Sequence, residues 1–193
     1  MDEGTGKVSE EPTAEPHGGF CGRSSGLVTR IHVTRSDSYP MEFAVNTICS
    51  WWHLLGRERF PDAKEIMITA DGGGSNGSRN RLWKAELQHL ADITGLTFHV
   101  RHFPPGTSKW NKIEHRLFSF ISKNWQGVPL ESLEIIVNLI GSTKNREGLK
   151  VRCIVDDWIY EKGREVPDHE FDSMNITLSE WRGDWNYTIA PRN

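Results

Sequence analysis

Apolar residues recur along this chain with two different periods, and the switches between them divide it into elements. Leu27–Thr34 is β-branched and partly alternating, so it reads as a strand, closed by turn-forming residues from Ser36 to Pro40. Between Met41 and Leu55 the spacing becomes three and four. Ala44, Val45, Ile48, Trp51, Trp52 and Leu55 line one side of a predicted helix, and Gly56 stands where a C-terminal cap belongs. Glu65–Ala70 is a nearly continuous apolar run, which predicts a parallel strand covered on both faces and ended by Asp71-Gly72-Gly73-Gly74. A second amphipathic helix is predicted over 79–94, with Leu82, Trp83, Leu87, Leu90 and Ala91 on one side and Gly95 stopping it. Leu96–Phe103 follows as a strand. Strand, helix and strand in succession make a βαβ unit, whose right-handed crossover leaves both strands pointing their carboxyl ends at the same edge.

Pro104-Pro105-Gly106 then forces a turn, Thr107 or Ser108 supplies a cap, and Trp110–Trp125 has helical periodicity. Another apolar helix is expected around Leu130–Ile140. From Lys150 onward, a strand-like Val151–Val155, a Lys162-Gly163 turn and a Trp-rich end (Trp181, Trp185, Tyr187) read as an appended α+β extension. Residues 1–26 hold almost no large apolar side chain, so burial cannot offset their ordering entropy and they are expected to be disordered. The expected division is therefore a disordered or non-native arm over 1–26, an α/β core over 27–126, and a helix with an α+β extension over 127–193.

Composition narrows the class without choosing a function. The 193 residues carry a formal net charge of −3 and fit one domain of ordinary size. No run approaches the ~20 apolar residues of a membrane helix and the start lacks a signal-peptide pattern, so a cytoplasmic location is expected. Cys21, Cys49 and Cys153 are odd in number and far apart, which suggests neither a disulfide framework nor a thiolate zinc site. The charge distribution says more than its sum. Residues 101–126 hold Arg101, Lys109, Lys112, Arg116 and Lys123 against Glu114, a net +4, whereas 1–16 sum to −4 and 156–184 to −6. A basic segment in an acidic chain is either a polyanion contact or a solvated helix face.

Candidate chemistry centres on two carboxylates. Wound at about 100° per residue, Trp110–Trp125 puts Trp110, Ile113, Leu117, Phe120 and Ile121 on one arc, with Glu114 inside it. A carboxylate on a packing face is ion-paired, protonated or a ligand for a cation, unless it sits at the helix edge and reaches water. Asp71 sits where a parallel strand ends, the place where open α/β sheets gather groups that act on ligands, although it also suits a plain Gly-rich turn. The βαβ geometry brings Asp71 and Glu114 toward one crevice. Oxygen ligands on rigid elements suit Mg²⁺ or Mn²⁺, and a site of this kind performs metal-assisted phosphodiester chemistry once a further carboxylate completes it. The Gly72–Gly77 run matches no phosphate-loop spacing, and His89, His99, His102 and His115 lack the spacing that puts two imidazoles on one helix face.

Three runs carry a resemblance: Ile68-Thr-Ala-Asp-Gly-Gly-Gly-Ser-Asn-Gly77, Arg81-Leu-Trp-Lys84, and His102-Phe-Pro-Pro-Gly-Thr-Ser-Lys-Trp-Asn-Lys-Ile-Glu-His-Arg-Leu-Phe118. From about Met41 to Pro191, including Trp185-Asn-Tyr-Thr-Ile-Ala-Pro191, the chain resembles the DDE transposases of the Rhodopirellula-type insertion-sequence family, relatives of the mariner-like superfamily. The resemblance implies an RNase H-like α/β fold, Mg²⁺-dependent DNA strand cleavage and strand transfer, and a catalytic set of two aspartates and a glutamate. Asp71 matches the second aspartate and Glu114 the glutamate, with Asn111 one turn earlier on the same flank. Lys109, Trp110, Lys112, Arg116 and Lys123 fall in a region that relatives use near DNA. The first aspartate has no match. In the family it lies on the first strand of the sheet, Leu27–Thr34 would be the third, and Asp37 does not fit the motif. The expectation is a partial RNase H-like core lacking its first strands, that is, a truncated remnant inactive alone. The competing expectation is a non-catalytic DNA-binding protein using the basic 101–126 segment. Expected partners are DNA at transposon ends and a second copy of this chain or a full-length transposase.

Overall fold

A computed structural model describes residues 28–34, 41–71, 77–104, 106–107, 110, 117–146, 149–157, 160 and 163–192. The predicted βαβ unit is its centre. Strands β2 (Glu65–Ala70) and β3 (Thr97–His102) pair in parallel from Glu65↔Thr97 to Ala70↔His102, and helix α3 (Arg81–Thr94) makes the crossover. Asn80 starts α3 by accepting hydrogen bonds from the Leu82 N–H at 3.1 Å and the Trp83 N–H at 3.5 Å, two donors that the first turn leaves open. Gly95 ends it in the left-handed conformation at φ 71°, with its N–H on the Ala91 carbonyl. All five residues of the expected apolar side are buried. Gln88 is buried among them. Its amide donates to Asp92 and to the Ala190 carbonyl, and its oxygen accepts from the Asn175 N–H at 2.7 Å, fastening α3 to the C-terminal residues.

Several expectations change. Gly56 does not cap: helix α1 (Met41–Trp51) passes through a π-helical turn at Trp52–Gly56 into the short α2 (Arg57–Arg59), and Gly56 keeps a right-handed φ of −62°. A Cβ at Gly56 would lie 2.5 Å from Cε3 of Trp52, so glycine is there to clear the indole. Strand β2 is covered on one face only. Ile66 and Ile68 pack on the core while Met67 is 68% exposed, because β2 forms the sheet's edge and the helices cover a single side. The C-terminal residues are also not a separate appendage. Strand β6 (Asn186–Ile189) pairs antiparallel with β3, and β5 (Ile176–Leu178) pairs antiparallel with β6, giving the order β2-β3-β6-β5. Tyr187 and Ile189 join Trp83, Leu87, Phe98 and Val100 in the main core.

A second body stands beside this sheet. Strand β1 (Val28–Thr34) pairs in parallel with β4 (Lys150–Asp156) as a two-stranded ladder, so the strand expected to belong with the βαβ unit lies outside its sheet. Helices α4 (Ser119–Trp125) and α5 (Leu133–Gly141) pack on the ladder through a core of Leu117, Ile121, Ile136, Ile140, Leu149 and Val151. Tyr160 links the two bodies: it accepts from the Asn46 amide of α1 at 2.9 Å and donates to the Asp156 carboxylate at the end of β4 at 2.6 Å. Burial, first, and the Asp156 acceptor push its phenol well above the ordinary range. The short helix α6 (Asp168–Asp172) lies against α3 through the Arg81–Asp168 ion pair. Among the described residues, no helix is long and apolar enough to cross a membrane.

Candidate active site at the sheet edge

Asp71 follows the last residue of β2 and is exposed, on the edge where β2 and β3 both present their carboxyl ends. Its carboxylate has no hydrogen bond or ion pair among the described residues, while its main-chain carbonyl accepts from Nδ1 of His102 at 3.2 Å. His102 occupies the matching last position of β3 and turns inward. On the core face of β3, Phe98, Val100 and His102 alternate with the half-buried Thr97, His99 and Arg101. The other ring nitrogen of His102 lies 3.2 Å from the Tyr187 hydroxyl, which accepts from the Trp83 indole N–H at 2.9 Å.

The electrostatics of this corner follow from burial. Desolvation pulls the His102 imidazole below its ordinary pKa, the hydrogen bond to Asp71 opposes that, and the nearby Lys84 charge adds to it. Lys84, on the first turn of α3, lies with its ammonium 4.9 Å from the Tyr187 ring centroid, and burial lowers its pKa as well. The edge thus combines an outward carboxylate, a lysine and an inward imidazole, phenol and indole.

The remaining candidates divide. Glu114, Asn111, Lys109, Lys112 and Arg116 lie outside the described residues. Trp110 was expected on the packing arc but is 59% exposed, while Leu117 and Ile121 of the same arc are buried in the second core. Lys123 is exposed on α4, with its ammonium 5.5 Å from the centroid of Phe120 on its own helix. Arg101, counted in the basic segment, bends back to donate to the carbonyls of Val100 and Tyr187. His102, Tyr187 and Trp83 were missed as a group. Alternation along 97–102 places His102 on the core face at the end of a strand, and that signal was available.

Among the described residues, no three His, Cys, Asp or Glu side chains stand close enough to hold a metal ion together. Asp71 has the chemistry of a hard-cation ligand on the edge: an oxygen donor, exposed, on a main chain held from behind.

A mixed α/β sheet with a carboxylate beyond a parallel strand defines the broad class, in which polar chemistry collects at one edge of an α/β core. A family model described as Rhodopirellula transposase DDE domain matches residues 7–191, and the chain belongs to that family. A DDE domain implies an RNase H-like fold. The match begins well before Met41, so residues 7–40 are also part of the likeness. No curated protein and no solved structure matches the chain.

Proposed function

We propose that this chain carries the Asp71 and Glu114 portion of a Mg²⁺- or Mn²⁺-dependent DNA strand-cleavage and strand-transfer site, acting on transposon ends. The family match over 7–191 carries this reading, supported by the position of Asp71 at the carboxyl end of a parallel strand. Asp71 and Glu114 would hold the cation, with Asn111 beside Glu114. A cation held there supplies charge neutralisation at the scissile phosphate. The chain's own part is to fix the Asp71 carboxylate on a rigid strand end and to place the Lys84 ammonium where it can meet a phosphate.

Two matched carboxylates do not readily hold both ions of a two-metal site. The chain by itself is therefore proposed to be inactive as a partial RNase H-like core, needing a third carboxylate from residues beyond these or from another copy in trans. Titration calorimetry with Mn²⁺ tests the site. Wild type is expected to bind and the Asp71→Ala, Glu114→Ala double variant is not; equal heats from both would refute the shared site. Nicking of a terminal-repeat duplex by the chain alone with Mg²⁺, abolished by Asp71→Ala, would refute the inactivity.

The exposed Trp110 indole favours a second reading, non-catalytic DNA binding through Lys109, Trp110, Lys112, Arg116 and Lys123. Binding that falls steeply with salt and ignores Mg²⁺ is the outcome that selects it.

A further inference from the structure

The corner behind Asp71 has a direction that its atoms fix. A carbonyl oxygen only accepts, so the 3.2 Å contact between the Asp71 carbonyl and His102 requires the proton on Nδ1. An indole only donates, so the Trp83 N–H occupies the Tyr187 oxygen at 2.9 Å and leaves its hydroxyl proton to go elsewhere. Nε2 of His102, bare in that tautomer, lies 3.2 Å from the same oxygen and takes it. The result is one continuous chain of donors, from the Trp83 indole to the Tyr187 hydroxyl to His102 Nε2, and from His102 Nδ1 to the Asp71 carbonyl.

We propose that His102 is the positioning residue for Asp71, held in its Nδ1–H form by Tyr187 and Trp83 so that the main chain at the end of β2 has one geometry. The inference rests on Asp71 as the working carboxylate of the proposed site and adds what places it. Every anchor is buried. Trp83 and Tyr187 are among the most deeply buried large side chains, and the main-chain N–H of His102 is tied to the Trp185 carbonyl at 3.0 Å. The Phe103 N–H reaches the Ala70 carbonyl at 2.8 Å, so β2 and β3 are clamped immediately before Asp71. Beyond that clamp, among the described residues, the His102 ring is the contact on the Asp71 carbonyl. The three residues come from α3, β3 and β6, so three separate elements converge on one carbonyl.

Two isosteric substitutions separate the halves of this chain. In His102→Asn the side-chain amide nitrogen falls near Nδ1 and keeps a donor for Asp71 but drops Tyr187. In His102→Gln the amide falls near Nε2, keeping Tyr187 and dropping Asp71. The experiment uses the full chain with ¹⁵N-labelled histidine and ¹³C-labelled carbonyls, read by NMR, followed by Mn²⁺ titration of each variant. Wild type is expected to show His102 protonated at Nδ1 and bare at Nε2. The Asp71 carbonyl resonance is expected to move in His102→Gln and to stay in His102→Asn. Mn²⁺ affinity is expected to fall about tenfold or more in His102→Gln and to remain within about twofold of wild type in His102→Asn, a rescue that loss of packing alone would not produce. An Nε2–H tautomer in wild type overturns the proposal, as does an Asp71 carbonyl indifferent to both variants. If Mn²⁺ fails to bind wild type, the metal-site reading falls, while the tautomer and the carbonyl resonance still decide whether His102 positions Asp71. Should His102→Gln not fold, Tyr187→Phe replaces it: the ring loses its Nε2 partner and the Asp71 carbonyl resonance is expected to move, and an unmoved resonance overturns the proposal.

Discussion

The two bodies of this protein hold their strands in different ways. The four-stranded sheet is tied together by distant residues: β6 inserts beside β3, Gln88 fastens α3 to the C-terminal residues, and Trp83, Tyr187 and His102 bond inside the core. The β1–β4 ladder has two strands among the described residues and depends on the apolar contacts of α4 and α5, and two strands without such cover are marginal. The difference matters for the site because Asp71 stands on the first body, whereas the chain just past Glu114 enters the second at the buried Leu117. Rigidity at one carboxylate therefore does not extend by itself to the other.

The comparison breaks most visibly if the first body is opened. Trp83→Ala removes a fully buried indole and the donor to Tyr187, and is expected to cost about 3–5 kcal/mol, read as a lowered urea midpoint for the whole sheet. Leu117→Ala should cost about 2–4 kcal/mol, confined to the second body, so hydrogen exchange is expected to rise in α5 and β4 and to stay slow in α3 and β3. Uniform acceleration across both bodies would show a single cooperative unit instead. Tyr160→Phe is expected to cost about 1–2 kcal/mol and to separate the two unfolding transitions, since its hydroxyl joins Asn46 of α1 to Asp156 of β4; one unchanged transition would place the coupling elsewhere.

The smallest effect comes from Asp92. Partial burial raises its carboxyl, but hydrogen bonds from Arg192 and Gln88 and the Arg192 charge outweigh that and hold it below the ordinary aspartate value. A folded-state pKa below the unfolded one contributes stability that is present above the unfolded value, near pH 4, and lost as pH falls through the folded value. Because the pair is solvent-exposed at Arg192, the contribution is expected to stay under about 1 kcal/mol, and an Asp92→Asn chain should melt with a flatter pH dependence below about pH 4.

What the sequence revealed was local. The extents of β2 and β3 follow from period and the end of α3 from Gly95, all read within a few residues, whereas the cap at Asn80 lay inside the predicted 79–94 helix and was not read. Asp71 was legible for the same reason: it ends an apolar run. Gly56 misled because a glycine that clears a tryptophan looks like one that caps a helix. The one-sided burial of β2 depends on its sheet neighbours, which an apolar run does not encode. The site's inner half escaped because the Tyr187 hydroxyl and His102 are 85 positions apart, and a hydrogen bond across that distance leaves no periodic trace.

The place of β6 also sets an order of events. It is an inner strand of the main sheet, flanked by β3 and β5, yet its residues are translated after those of both neighbours. During synthesis β3 keeps an open edge, with Phe98 and Val100 lacking the cover of Tyr187 and Ile189, until residues 186–189 leave the ribosome. The nascent chain thus exposes a sticky strand edge while residues 103–185 are being made. A pause at that stage would favour pairing with a neighbouring nascent copy over completion of its own sheet.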